Sequence, residues 1–277
     1  MKKTIFTFAL CILSTFPFTA DAEETETAYE RVMRTGIFRC AYASVGIPIQ
    51  KNLSSGEITG PLADIARAMT QSLDLKLEWT IEVGYADFAE GLKSGRYDAF
   101  CGIISATPSR ARVATFTTPL FYTPFYIYTR KDETRFKKLE DLNQSEIISG
   151  TVDGEAFQKV TRTHFPSAQE HSLPNMTDPT QLFVDLDAKK IDFVLHDPLK
   201  FRDYEKNNSG KVRRAFTEPL EFYPVGFAIN STEHELKDML NTAISSLHNT
   251  GKMDQILTSH DIDKQTYFRP ALPYRAE

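Results

Sequence analysis

Strand-like and helix-like runs alternate along this chain, and the alternation comes twice. Ile37 to Ala43 reads as a strand, and Leu62, Ile65, Ala66, Met69 and Leu73 recur at helical spacing. Leu75 to Trp79 alternates as a half-buried strand does. Phe88 and Leu92 mark a second helix, with Gly95 as its C-cap. Tyr97 to Ile104 is an apolar strand. This order predicts a mostly parallel sheet covered by helices. The second half repeats it, with a strand opening at Ile147-Ile148 and a helix over Glu155 to Val160. Asp178 is placed as an N-cap with Pro179 at the first helical position. Leu182, Phe183 and Leu186 give that helix its apolar face, and Ile191 to Leu195 is a strand. Leu92-Lys-Ser-Gly-Arg-Tyr-Asp-Ala-Phe100 also resembles Leu186-Asp-Ala-Lys-Lys-Ile-Asp-Phe-Val194. In each, a helix ends, a short basic turn follows and an Asp enters an apolar strand. The expected fold is α/β, with two mixed-sheet lobes.

Two aromatic and β-branched runs, Phe121 to Tyr128 and Phe222 to Ile229, are expected to be crossover strands joining the lobes. The alternative is that they are core strands of one domain. Two connections would restrict motion to hinge bending around a cleft. The expected division is residues 23–126 and 227–277 in lobe I, and 127–226 in the hinge strands and lobe II. Residues 23–35 are polar and acidic and read as a frayed lead-in. Thr232-Glu233-His234-Glu235 fits a capping box. The helix after it buries Leu236, Met239, Leu240, Ala243, Ile244 and Leu247, and Gly251 closes it.

Lys2 and Lys3, the uncharged run Thr4 to Phe18 and the small residues of Ala20-Asp21-Ala22 form a secretory signal over residues 1–22, cleaved after Ala22. An N-terminal anchor is the competing reading, but the run is short and holds Ser, Thr and Pro. A periplasmic location follows. Removing the signal takes Cys11 with it and leaves Cys40 and Cys101. In an oxidising compartment these are expected to bridge neighbouring strands, the alternative being two buried thiols. The six His residues have no metal-binding spacing, and no cofactor is expected. The net charge of −5 and the lack of a basic cluster argue against nucleic acid as a partner.

Two segments carry the expected chemistry. In Gly102 to Arg110, a strand ends, Ser or Thr caps a helix and Pro108 enters its first turn. That places Arg110 near a helix N-terminus, where it opposes the macrodipole unless an anion is bound there. The competing reading is an exposed Arg with a surface partner. In Ile191 to Pro198, Asp197 follows an apolar strand and precedes Pro, so it caps a helix and can also present a carboxylate at the mouth of the second lobe. Ligands of open α/β sheets bind beyond the carboxyl ends of strands. A cation and an anion facing each other from separate lobes suit a zwitterion.

The chain resembles the periplasmic solute-binding proteins of ABC transporters, in the polar-amino-acid-binding family with the type II periplasmic binding fold. The resemblance rests on Gly60 to Ala66, Leu92 to Phe100, Thr107-Pro108-Ser109-Arg110, Phe116 to Phe121 and Gly251-Lys252-Met253-Asp254. It implies a monomer that binds an amino acid or related zwitterion and hands it to an ABC permease. It further implies that Arg110, aided by Ser105, grips the ligand carboxylate. The Ile103 carbonyl and Asp197 would hold the ammonium, and Tyr85 would lie against the side chain or simply pack. The chain departs from the family pattern at Ala43, Gly46 and Pro61, and at Gly154-Glu155 in place of a Gly-Thr turn. Glu155 is either a ligand contact or favourable at its own helix N-terminus. Relatives resembling cyclohexadienyl dehydratases supply the alternative function, with Glu155 as a general acid on prephenate or arogenate. An orphan or sensory binding protein is a third reading.

Overall fold

The computed structural model describes residues 26–175, 177–261 and 265–271. The proposed signal segment lies outside them. In chain order the elements are α1 (Ala28–Thr35), β1 (Ile37–Tyr42), β2 (Gln50–Lys51), β3 (Ile58–Thr59), α2 (Pro61–Ser72), β4 (Lys76–Glu82), α3 (Phe88–Lys93), β5 (Ala99–Phe100), β6 (Thr115–Phe116) and β7 (Phe121–Arg130). There follow β8 (Ile148–Val152), α4 (Ala156–His164), β9 (Gln169–Leu173), α5 (Thr180–Asp187), β10 (Phe193–His196), α6 (Pro198–Glu205), β11 (Val212–Arg214), β12 (Glu221–Val225), β13 (Ala228–Ile229), α7 (His234–Asn249) and α8 (Lys252–His260).

The two expected lobes are two sheets of matching order. One runs β4-β1-β5-β13-β6 and the other β9-β8-β10-β7-β11, with β12 also beside β7. In each, three parallel strands are followed by an antiparallel one. The repeated Asp explains the sequence self-similarity. Asp98 Oδ2 accepts the Arg39 N–H at 2.7 Å, and its carboxylate also takes the Arg39 and Arg31 guanidinia. Asp192 Oδ2 accepts the Ile148 N–H at 3.0 Å, and its carboxylate takes Arg130 and Arg135. Each Asp therefore ties the strand it begins to the neighbouring strand, with two arginines neutralising the buried charge.

Strand β7 connects the two cores. Phe121, at its start, packs with Val225 and Phe227 in the lobe I cluster, while Tyr126 and Tyr128 belong to a lobe II cluster. The second aromatic run pairs along β7 as β12, then breaks at Gly226-Phe227 and re-enters the first sheet as β13. Leu199, at the start of α6, packs into the lobe I cluster, so the lobes touch across the cleft. Gly46 helps: a Cβ there would meet Asp203 Oδ2 of α6 at 3.1 Å. The tail after α8 lies over the junction. Phe268 exchanges backbone hydrogen bonds with Tyr122, Tyr267 packs edge-on against Phe121, and Thr266 Oγ1 accepts from the lobe II residue Arg202.

The Cys40–Cys101 disulfide is present, joining β1 to the end of β5 with a Cα–Cα separation of 5.7 Å. In the chain-entropy picture, closing a loop with a sequence separation of 61 stabilises the fold by about 4 kcal/mol.

Several local expectations are corrected. The lead-in at 23–35 contains α1, because Thr27 and Glu30 form a reciprocal capping box, Gly36 ends the helix in a left-handed conformation and Val32 is buried. The capping box expected before α7 is absent. The Glu233 carboxylate instead accepts the Ala28 and Tyr29 N–H groups, at 2.9 and 3.3 Å, and so caps α1 from a distance. The strand expected over Tyr97 to Ile104 is two residues long. Ser94 is the C-cap of helix α3, with Gly95 one position beyond. Helix α5 begins one residue late, after Pro179, although Asp178 Oδ1 still accepts the Thr180 N–H at 2.9 Å. The segment leading to Arg110 forms only a 3₁₀ turn, Arg110–Arg112, without a side-chain cap. A single turn has no macrodipole of consequence, so the helix-terminus argument for an anion there fails. What the position does provide is described next.

Candidate functional site

Burial explains the lobe I side of the site. The loop between β5 and β6 folds back on itself, and the Arg110 guanidinium donates to the Ser105 carbonyl at 3.1 Å. Its carbon lies 5.7 Å from the Tyr85 ring centroid, within cation–π range. The Tyr85 hydroxyl donates to the Ile103 carbonyl at 2.9 Å, which occupies one of that oxygen's two lone pairs. Among the described residues no carboxylate forms an ion pair or hydrogen bond with Arg110. Burial lowers its pKa, with the Tyr85 and Glu155 charges opposing the shift.

Lobe II supplies the acids. Asp197 caps α6 as expected, its Oδ1 accepting from Leu199 N at 2.8 Å and Lys200 N at 3.2 Å, with Pro198 at the first helical position. Burial acts to raise its pKa. The His196 ring and the two backbone donors outweigh that, and the carboxyl is held below its ordinary value. Asp197 is therefore an ionised carboxylate. Glu155 is the backbone N-cap of α4, but its side chain makes no cap hydrogen bond. Burial pushes its carboxyl up, with the Asp197 charge adding to the rise while His196, Lys200 and Arg110 oppose it. Its helix is thus not what Glu155 serves.

The same electrostatics link the two sides. Tyr85 is pushed far above its ordinary value, first by burial, and the charges felt there are Arg110, Glu155 and Asp197. Tyr85 and Arg110, bonded to the Ile103 and Ser105 carbonyls, therefore lie within electrostatic reach of Glu155 on the other lobe, and Tyr85 also of Asp197. An open groove of about 670 Å³ along β4, lined by Tyr42, Trp79 and Arg67 among others, shares no residue with this cleft.

Sequence reasoning passed over His196 and Phe157. His196 is only 2% exposed, at the end of β10, and its ring stacks on Phe157 at 4.0 Å between centroids. Phe193 and Leu195 face one core of lobe II and Val194 the other, but strand alternation does not single out His196, whose ring meets Phe157 of the first cluster and Phe183 of the second.

The sequence pattern of the bacterial extracellular solute-binding proteins, family 3, matches residues 39–260. The chain belongs to that family. It is similar to the ABC transporter arginine-binding protein 1 of Escherichia coli, 25% identical over 212 residues, which is 76% of this chain and 84% of that one. A probable amino-acid ABC transporter-binding protein of Haemophilus influenzae is 24% identical over 257 residues, covering 92% and 96%. Among solved structures, an ancestral amino-acid-binding protein described as a precursor of cyclohexadienyl dehydratase superposes with a TM-score of 0.70. It has 21% identity and covers 83% of this chain and 97% of that one. That likeness shows the fold, two lobes around a cleft. Among the described residues, no helix is long and apolar enough to cross a membrane.

Proposed function

We propose that this protein binds a free amino acid between its lobes, closes on it by bending the crossover segments and presents it to the permease of an ABC transporter. Arg110 takes the carboxylate, with Ser105 orienting the guanidinium through its carbonyl. Asp197 takes the ammonium, and the remaining lone pair of the Ile103 carbonyl assists. Tyr85 lies against the ligand. The lobe boundaries fall near residues 126 and 226, within or beside β7 and β12. The chain works as a monomer in the periplasm after loss of residues 1–22. The observation that carries this reading is the half-buried, partly desolvated Arg110 guanidinium without a carboxylate partner, within reach of the Glu155 charge of the other lobe. A desolvated cation is costly until an anion meets it, and a ligand carboxylate is that anion. The ligand-bound closed state then gains over the open one by the difference in affinity. A thermal-shift screen of the twenty amino acids tests the reading. At least one is expected to raise the melting temperature by several degrees, and none doing so would refute it.

One observation favours a second reading. Glu155 Oε2 is buried without a hydrogen-bond partner, and its carboxyl is raised, the state a general acid needs. Arg110 holding the carboxylate of a cyclohexadienyl acid beside it would make the site a dehydratase. Incubation with prephenate or arogenate decides: formation of the aromatic product supports the enzyme, and unchanged substrate dismisses it.

A further inference from the structure

The lobe II side of the cleft holds two buried polar atoms without a hydrogen bond. His196 Nε2 and Glu155 Oε2 lie 3.8 Å apart, close enough for an ion pair when the ring is protonated but too far for a hydrogen bond to each other, and neither has another hydrogen-bond partner among the described residues. The histidine is not free to turn away. The His196 ring is clamped on Phe157, and its Nδ1 is occupied, receiving the Asp197 N–H at 2.9 Å and lying 3.2 Å from Asp197 Oδ2. Lys200, whose charge Glu155 feels, is engaged by Asp178 at 3.3 Å. The pair also lies beside the carboxylate assigned above to the ammonium, where an amino-acid side chain would leave its Cα.

We propose that Glu155 and His196 form a donor–acceptor subsite that selects an amino acid whose side chain ends in a carboxamide, such as glutamine or asparagine. This rests on the amino-acid reading of the cleft. The reason is complementarity in either tautomer of the ring. With Nδ1 bare toward the Asp197 N–H, Nε2 carries the proton and needs an acceptor, while the Glu155 carboxylate needs a donor. A carboxamide brings a C=O for the one and an N–H for the other. With Nδ1 protonated toward the Asp197 carboxylate, Nε2 needs a donor and a neutral Glu155 offers one. The same carboxamide, turned over, meets both. An ammonium or guanidinium carries donors only and leaves an Nε2–H buried and unanswered in the first state. An aliphatic side chain answers neither atom, and a site built to bond a polar group rejects analogues lacking it.

Isothermal titration of the full mature protein with L-glutamine, L-asparagine, L-arginine, L-leucine and L-alanine tests this. Glutamine or asparagine is expected to bind at least about tenfold more tightly than arginine or leucine. Glu155→Met and His196→Phe should each remove that preference, so that glutamine and asparagine bind no more tightly than arginine, leucine or alanine. Glu155 is the more exposed of the two, so Glu155→Met keeps the test available if His196→Phe does not fold. Arginine or leucine binding as tightly as the carboxamides would overturn the proposal and leave the amino-acid reading standing. So would a preference that survives Glu155→Met. If no amino acid binds, it is the amino-acid reading itself that fails, and the subsite with it.

Discussion

Replacing Arg110 with Met keeps most of the apolar stem and removes the charge. In the wild type, a ligand at one hundred times its Kd stabilises the folded state by about 2.7 kcal/mol. For a chain of this size each kcal/mol moves Tm by about 2–4 °C, so the expected ligand-induced shift is about 5–11 °C. Truncating one partner of a buried charge pair costs about 3 kcal/mol, which is a loss of about 150-fold in affinity. The same ligand concentration then lies below Kd and contributes only about 0.3 kcal/mol, about 1 °C. The ligand-free protein should respond in the other direction. Arg110 is a desolvated cation whose bonded partner is a neutral carbonyl, so Arg110→Met should leave the ligand-free Tm unchanged or higher. Differential scanning fluorimetry reads both numbers, with the exposed neighbour Arg112→Met as control. If Arg110→Met kept most of the ligand-induced shift, the guanidinium would not hold the ligand. If it lowered the ligand-free Tm by several degrees, Arg110 would be structural.

Other consequences follow from groups elsewhere in the fold. The folded-state pKa of Glu155 is raised, so its contribution to stability is fully present below its unfolded value and is lost as pH rises through the folded one. Glu155→Gln should therefore be more stable than wild type at pH 7 without ligand, the gap closing toward about pH 4; a gap constant with pH in paired melts would contradict this. Replacing Cys40 and Cys101 together with Ala should cost about 4 kcal/mol in urea unfolding, and an unchanged midpoint would show that the bridge adds nothing. Asp98→Ala should cost about 3–5 kcal/mol, because it strands the Arg39 N–H and two arginines, and Asp192→Ala less, since Asp192 is the more exposed of the two. Equal small losses, under about 1 kcal/mol, would refute the role given to the repeated Asp.

What the sequence made legible was what local periodicity and caps encode. The two α/β lobes, the repeated Asp and the Asp197 cap with Pro198 behind it all read directly, because each depends on spacing within one element or on a pattern used twice, whereas the cysteine pair was legible from count and compartment. The readings that failed depended on contacts distant in sequence or on competing local geometry. Glu233 looked like part of its own helix cap, yet it serves α1 across the fold. Thr27 and Glu30 lay in a stretch whose acidic composition hid a capping box. The Thr-Pro-Ser-Arg run has the composition of a helix start, but the chain turns once and then enters β6, leaving no length for a helix. Arg110 was singled out for a dipole that does not exist. Its actual constraint is burial beside Tyr85 with only a carbonyl to bond, and no local rule states that. His196 escaped because a lone histidine at a strand end has no spacing to distinguish it; its meaning comes from Phe157 and Glu155, which another element delivers.

The central claim is that one lobe holds the negative end of the ligand and the other the positive end. Crystallography of the protein with the amino acid that stabilises it most tests this directly. The carboxylate should lie within hydrogen-bond distance of the Arg110 guanidinium and the ammonium within the same distance of Asp197. A ligand bound with either charged group against other residues would contradict the account.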